Sequence, residues 1–377
     1  MSAWKQNIAK IRDSYCQEQW LHHVAENRET LLSLDQLEKL IFVQGVFPHD
    51  CVHSVTAPNP PKDLEGEGAE VAMTAFGNGE TLILRKADLN YPLIGSLASE
   101  LAEELDTEVH ANLYLTPPQS QGFRLHFDRH DVVVLQLIGN KVWEICDRVT
   151  PVPLNESLLS GLQKMLLESA LDHKSEPDVS SNRKIRVNLD VNDWMYLPRG
   201  IAHSARSQNS VSLHCTFALI KPSICEVLSL ETFATFAKKT YGPNRWDAKN
   251  SISKNLNQKG KHTELMSYTI ELSKQRSRRP LPGHYLYTLA NLKKLDLDSQ
   301  LKRRDGLFPW LGDVEGEKQF IFANQRYRVP KETEILFRFL ASKKNFKVKD
   351  LPVKNLDIDQ VEMCRDLIQE GLLEFLL

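Results

Sequence analysis

Two short stretches constrain this chain more than anything else in its 377 residues: His126-Phe127-Asp128, and a distant His203 in Tyr196-Leu197-Pro198-Arg199-Gly200-Ile201-Ala202-His203. They supply two imidazoles and one carboxylate, a set that holds one face of a metal ion and leaves other positions open, as at non-haem iron(II) sites. The spacing has a physical sense. Residues i and i+2 of a β-strand point to the same face, so His126 and Asp128 can both aim into one cavity. The third ligand must come from a remote strand, and a sheet rolled back on itself brings it alongside. A lone His-x-Asp occurs often by chance, and these residues could simply hydrogen-bond one another inside a barrel. The surroundings decide.

After the motif, Val132-Val133-Val134-Leu135-Gln136-Leu137-Ile138-Gly139 reads as a buried strand and turn, with Lys141 and Trp143 just beyond it on the next strand. A lysine pointing into the same barrel would pair with the distal carboxylate of a keto-acid cosubstrate; the bland alternative is a solvated strand lysine. Upstream, Ala111-Asn112-Leu113-Tyr114-Leu115-Thr116-Pro117-Pro118 alternates as a half-buried strand should. Asn112, Tyr114 and Thr116 then share a face, either lining a pocket or packing as ordinary strand residues. Gln119 to Phe123 makes a loop into the His-x-Asp strand. Val191 to Gly200 reads as turn, strand, turn, with His203 at the start of the following strand and Ser212 to Phe217 beginning another. His214 would support the site near the metal or be an inward histidine satisfied by a neighbour.

The stretches NLYLTPPQSQGF, HFDRHDVVVLQLIGNKVW, DWMYLPRGIAHSA and SLHCTF resemble the core motifs of the JmjC-type ribosomal oxygenases, the cupin-4 group. The resemblance covers roughly residues 20–220 well and the tail to Leu377 more loosely. It implies an iron(II)- and 2-oxoglutarate-dependent protein hydroxylase. Its metal ligands fall on His126, Asp128 and His203, and its basic residue for the 2-oxoglutarate carboxylate falls on Lys141. Asn112, Tyr114 and Thr116 are the pocket partners. One departure stands out. The family often has a proline before the first histidine and an acidic residue after the aspartate. Here Leu125, preceded by Arg124, and Arg129 occupy those places, which gives a more basic entrance.

Chain length and 41% hydrophobic content allow two or three domains and a sizeable core. A net charge of -2 argues for neither a nucleic-acid nor a membrane partner. Met1 to Arg12 has no apolar signal region, and no apolar run of about 18 residues occurs, so a cytoplasmic protein is expected. The cysteines (Cys16, Cys51, Cys146, Cys215, Cys225 and Cys364) lack CxxC spacing and read as thiols rather than a disulfide frame or zinc site.

The first 45 or so residues read as helical, clearest from Leu32 to Ile41. A second helix is expected from Pro92 to Leu105, with Leu93, Ile94, Leu97, Leu101 and Leu105 at helical spacing and proline suited to its first turn. From Ile224 to about Leu301 the pattern is helical and basic, broken at Pro280-Leu281-Pro282-Gly283. The tail reads as strand (319–322), helix (331–341), helix (359–370) and strand (372–377). Its basic residues lie in a loop rather than along one recognition helix, so no nucleic-acid partner is expected.

The expected architecture is a mostly β catalytic core, a double-stranded β-helix or cupin/JmjC jelly roll, with helical N-terminal elements over residues 1–222. A helical dimerisation segment (223–304) and a small winged-helix-like module (305–377) follow, as in the resembling family, and imply a homodimer. The expected function is Fe(II)- and 2-oxoglutarate-dependent hydroxylation of a protein or peptide side chain, such as one on a ribosomal protein. The rivals are the same chemistry with a ribosomally made precursor peptide as the target, demethylation, and a non-catalytic metal-binding cupin module.

Overall fold

The computed structural model describes residues 2–43, 51–64, 69–105, 107–148, 184–220, 283–307, 309–314, 317–322, 325–353 and 356–377. They fall into two compact units, within Met1–Trp246 and Asp247–Leu377. Most of the expected helical segment 223–304, and Cys225 with it, lies outside the described residues.

Among the described residues the first unit holds twelve strands: β1 (Leu21–His23), β2 (Val52–Val55), β3 (Lys62–Asp63), β4 (Thr81–Leu84), β5 (Glu108–Thr116), β6 (His126–Phe127), β7 (Asp131–Ile138), β8 (Lys141–Arg148), β9 (Lys184–Leu189), β10 (Trp194–Leu197), β11 (Ile201–Ser207) and β12 (Ser212–Ile220). They form an eight-stranded sheet, β1-β10-β7-β12-β5-β4-β2-β3, and a four-stranded sheet, β6-β11-β8-β9. All their pairings are antiparallel. This is the expected jelly roll, and side-chain parity explains it. On β7, Val133, Leu135 and Leu137 join the core that carries the helices, whereas Val132 and Val134 join a second core with Trp143, Ile145, Leu189, Met195 and Leu197 from the smaller sheet and β10. A strand buried on both faces reads as an unbroken apolar run, which is what residues 132–135 are.

The helices α1 (Ser2–Gln17), α2 (Leu34–Glu38), α3 (Ala69–Gly77), α4 (Ala87–Asn90) and α5 (Pro92–Leu105) belong to this unit. α5 has the expected bounds and buries Ile94, Leu97, Leu101 and Leu105 against the large sheet. Each fully buried side chain of this kind stabilises by about 1.5–3 kcal/mol. Trp4, Ile8, Ile11 and Tyr15 of α1 enter the same core. α2 begins with a capping box: Ser33 Oγ accepts from Gln36 N, and Ser33 N donates to Gln36 Oε1. The N-terminal stretch is not helical throughout. Leu21–His23 is an edge strand paired with Trp194–Tyr196, too short for its periodicity to be visible. β6 is also shorter than expected; it ends at Phe127, and Asp128 follows it.

The second unit contains β13 (Gln300–Arg303), β14 (Trp310–Val314), β15 (Glu317–Phe322), β16 (Gln325–Arg328), β17 (Asn345–Lys347) and β18 (Leu373–Phe375), arranged as the sheets β17-β13-β18 and β14-β15-β16. Its helices are α6 (Tyr285–Ala290), α7 (Glu334–Ser342) and α8 (Gln360–Gln369). The core joins Leu295 and Leu301 to Phe320, Phe322, Leu336, Leu340, Leu367, Ile368 and Leu373. Residues 300–303, expected at the end of a helical run, pair instead with β17 and β18. Asp359 caps α8 by accepting from the backbone N–H of Val361 and Glu362. Among the described residues no disulfide forms, and no helix is long and apolar enough to cross a membrane.

Candidate metal centre and its cavity

The pairing of β6 with β11 sets His126 directly opposite His203, with ring centroids 4.5 Å apart. Each ring is fixed in the same way. His126 Nδ1 lies 2.8 Å from Arg124 O, and His203 Nδ1 lies 3.0 Å from Ile201 O. A carbonyl only accepts, so Nδ1 carries the proton in both rings and Nε2 presents a lone pair. Asp128 completes the set: its Oδ2 is 3.5 Å from His203 Nε2, and one ligand atom from each residue lies within 4.8 Å of the others.

Asp128 is positioned by the turn before β11. Gly200, at φ +82°, donates its N–H to Asp128 O at 3.0 Å, and Arg199 N donates to Asp131 Oδ1 at 2.8 Å. A left-handed φ favours glycine there, which accounts for the Pro-Arg-Gly sequence.

The residues present fit a divalent metal. A carboxylate oxygen and an imidazole lone pair face each other with no hydrogen between them, and burial pushes the His203 imidazolium down against the opposing pull of Asp128. Two imidazole nitrogens and a carboxylate are the donors that non-haem iron(II) accepts on one face.

The cavity behind these ligands has a volume of about 140 Å³. At its buried end Lys141, only 3% exposed, donates from Nζ to Thr116 Oγ1 at 2.7 Å and to His214 Nδ1 at 3.1 Å. Thr81 Oγ1 in turn donates to Thr116 Oγ1 at 3.1 Å. No carboxylate pairs with Lys141 among the described residues, and burial lowers its pKa to about 7. Burial also holds His214 well below the usual histidine value, with Lys141 adding to the effect, so the ring is neutral and accepts. His214 stacks on Tyr114 (4.8 Å, 7°) and meets the edge of Trp143 at 5.3 Å; Trp143 also lies 5.8 Å from His203, linking the two ends. The Trp143 Nε1–H has no acceptor among the described residues.

Of the residues singled out from the sequence, His126, Asp128, His203, Lys141, Tyr114 and His214 line one cavity. Thr116 fixes Lys141 from behind. Asn112 supports rather than lines: its amide hydrogen-bonds the Tyr114 hydroxyl, and its Oδ1 accepts from Lys86 N at 3.2 Å. Burial raises the Tyr114 pKa to about 12, so the phenol keeps its proton. Sequence reasoning missed Trp143, Thr216, Val132, Val134 and Thr81 on the wall. The i+2 rule, applied from Lys141 and His214, finds the first two. Thr81 sits in a wholly buried strand, Thr-Leu-Ile-Leu, with no polar pattern to reveal it.

The JmjC domain family matches residues 95–227, a span that contains all three ligands and Lys141. The chain carries a JmjC domain. The chain is similar to human ribosomal oxygenase 1, at 35% identity over 119 residues covering 31% of this chain and 17% of that protein. It is also similar to the Dictyostelium discoideum bifunctional lysine-specific demethylase and histidyl-hydroxylase NO66, at 36% over 124 residues, 33% of this chain and 22% of that protein. The chain thus spans less than a quarter of either relative. The Escherichia coli ribosomal oxygenase YcfD matches in fold around the JmjC domain as well as within it, with a TM-score of 0.52 at 13% identity and 97% coverage of both chains. The same enzyme in complex with cobalt and 2-oxoglutarate matches with a TM-score of 0.51 at 14% identity, covering 96% of this chain and 97% of that one.

Proposed function

We propose that this chain is an iron(II)- and 2-oxoglutarate-dependent oxygenase that hydroxylates a side chain of a protein or peptide, a ribosomal protein being the first candidate. One observation carries the reading: a single cavity has three converging metal donors at one end and a buried, carboxylate-free Lys141 at the other. His126, Asp128 and His203 would hold one face of the metal. Lys141 would receive the far carboxylate of 2-oxoglutarate, with Thr116 and His214 keeping the ammonium in place. Val132, Val134 and Ala205 would exclude water from the walls. Iron(II) there would reduce dioxygen at the expense of 2-oxoglutarate, giving succinate and carbon dioxide and leaving one oxygen atom on a substrate carbon. No side-chain general base is required for this chemistry. The names of the relatives, ribosomal oxygenase and histidyl-hydroxylase, support a protein target. The same proposal takes residues 1–222 as catalytic, followed by a dimerisation segment from residue 223 and a winged-helix-like module that starts earlier than residue 305, because it includes Leu295 and β13, in a homodimer.

The test is succinate formation from 2-oxoglutarate with iron(II) and ascorbate, in wild type and His203→Ala. Slow turnover that disappears in the variant is expected. No turnover, together with no 2-oxoglutarate binding by the iron-loaded protein, would leave a metal-binding cupin module as the better reading. On a ribosomal peptide panel, a gain of one oxygen is expected; loss of a methyl group would replace hydroxylation by demethylation.

A further inference from the structure

The second unit has a cavity of its own, of about 250 Å³. Its lining is aromatic on one side and acidic on the other. Phe320 and Phe322, two apart on β15, form a buried floor. Phe337 of α7 stands 5.1 Å from Phe320, and Tyr327 of β16 stacks on Phe322 at 5.5 Å and 11°. Met363 of α8 completes the apolar part. Asp366 and Glu370, one helical turn apart on α8 and its C-cap, supply two carboxylates on one face. Tyr327 OH lies 3.1 Å from Glu370 Oε2 and also contacts Gln325 Oε1, so its one proton is shared between two acceptors at the rim. Neither acid has a cationic partner among the described residues.

Each of these features selects for positive charge on a flat or extended apolar body. Aromatic faces attract cations through their negative ring quadrupole. The C-terminal end of a helix carries partial negative charge, and Glu370 lies at that end of α8. An anion would be repelled here, and a purely aliphatic chain would cover the carboxylates without compensation. A guanidinium satisfies both sides: it is planar, stacks on aromatic rings and offers its N–H groups as a fork to carboxylates. We propose that this pocket binds an arginine side chain presented by a basic protein segment, and so acts as a protein-docking site separate from the metal cavity. It does not rest on the oxygenase reading, because none of its residues belongs to that cavity.

The experiment uses the full chain labelled at its methionine methyl groups, six in all, with the Met363 signal assigned by Met363→Leu. The probe is an acetylated, amidated glycine-rich peptide with one arginine, compared with peptides that carry citrulline, lysine or norleucine at that position. A saturable shift of the Met363 methyl with the arginine peptide is expected, with citrulline and norleucine binding roughly tenfold more weakly or not at all. Asp366→Asn with Glu370→Gln should remove the shift, and Tyr327→Phe should weaken it while keeping the fold. His203→Ala should leave it unchanged, which separates this pocket from the oxygenase reading. Equal binding of citrulline or norleucine would reduce the pocket to an apolar cleft and overturn the proposal. Equal binding of lysine would overturn the choice of arginine, and no shift with any peptide would overturn the site.

Discussion

At the more open end of the barrel cavity, His126, Asp128 and His203 turn three electron-pair donors toward one another. At the buried end, Lys141 turns an ammonium toward a hydroxyl and an imidazole with no anion opposite. The two deficits have opposite sign and share one wall, Trp143. Burying a charge without its counter-charge costs free energy, and neither end contributes to the apolar cores that hold the barrel together. In the proposed function the donor end receives a metal and the ammonium end a carboxylate. The sharpest tests remove one deficit at a time and ask whether stability and ligand binding move in opposite directions.

The largest effect is expected at the donor end. Asp128→Asn keeps the size of the side chain and removes its charge, while the new amide can donate to His203 Nε2. Metal affinity and succinate formation should both fall by at least about a hundredfold. The thermal midpoint of the metal-free protein should stay level or rise. Calorimetry with and without added metal reads both quantities; a lower midpoint with undiminished metal binding would mean that Asp128 is a structural residue.

Next comes the cationic end. Lys141→Met removes the buried charge at similar length. Binding of 2-oxoglutarate should weaken by roughly 2 kcal/mol or more, some thirtyfold, whereas the metal-free midpoint should rise. If both fall together, Lys141 is holding the sheets together rather than waiting for a carboxylate.

The same lysine sets a pH dependence. Its pKa is about 7 in the folded chain and returns to about 10.5 on unfolding. Between those values the unfolded chain binds more protons, so stability attributable to this group rises with pH from about 7 toward 10.5. Ligand binding should run the other way. A bound carboxylate requires the ammonium, so binding above pH 7 takes up a proton and affinity falls toward tenfold per pH unit. Calorimetry in buffers of different ionisation enthalpy measures that uptake, and zero uptake at pH 8 would show that the ammonium is already charged without ligand.

Much of this cavity was legible in the sequence because strands obey a period of two. That rule put Asn112, Tyr114 and Thr116 on one face, and the jelly roll keeps them there, although Asn112 braces Tyr114 instead of reaching the cavity. Helix α5 was legible to the residue, since proline marks its start and apolar residues recur along its buried face. Less could be read where elements are short or their partners remote. The three residues of β1 gain their place by pairing with β10, and β13 is defined by β17 and β18 on either side. Thr81 reaches Lys141 only through Thr116, a relation between three strands that no local pattern encodes. The aromatic pocket of the second unit was hidden for the same reason: its walls come from β15, β16, α7 and α8.

The smallest expected effect tests how the buried ammonium is held. Thr116 Oγ1 accepts from Lys141 Nζ at 2.7 Å, the shorter of the two contacts that steady the charge. Thr116→Val preserves the shape of the side chain and deletes that acceptor. A hydrogen bond to a charged group contributes roughly 1.5–3 kcal/mol, but the cost is shared between the free and liganded states because the ammonium is present in both below pH 7. The net loss in 2-oxoglutarate affinity should therefore be modest, about fivefold, or near 1 kcal/mol. The pH dependence should move more tellingly than the affinity. Without the threonine oxygen the ammonium is less favoured, so the pH above which affinity declines should shift below 7. Thr81→Val, one hydrogen bond further away, should produce the same shift in smaller measure, since it removes a donor that only orients Thr116. An unchanged pH profile in Thr116→Val would assign the burden of holding Lys141 to His214, whose Nδ1 is the other contact.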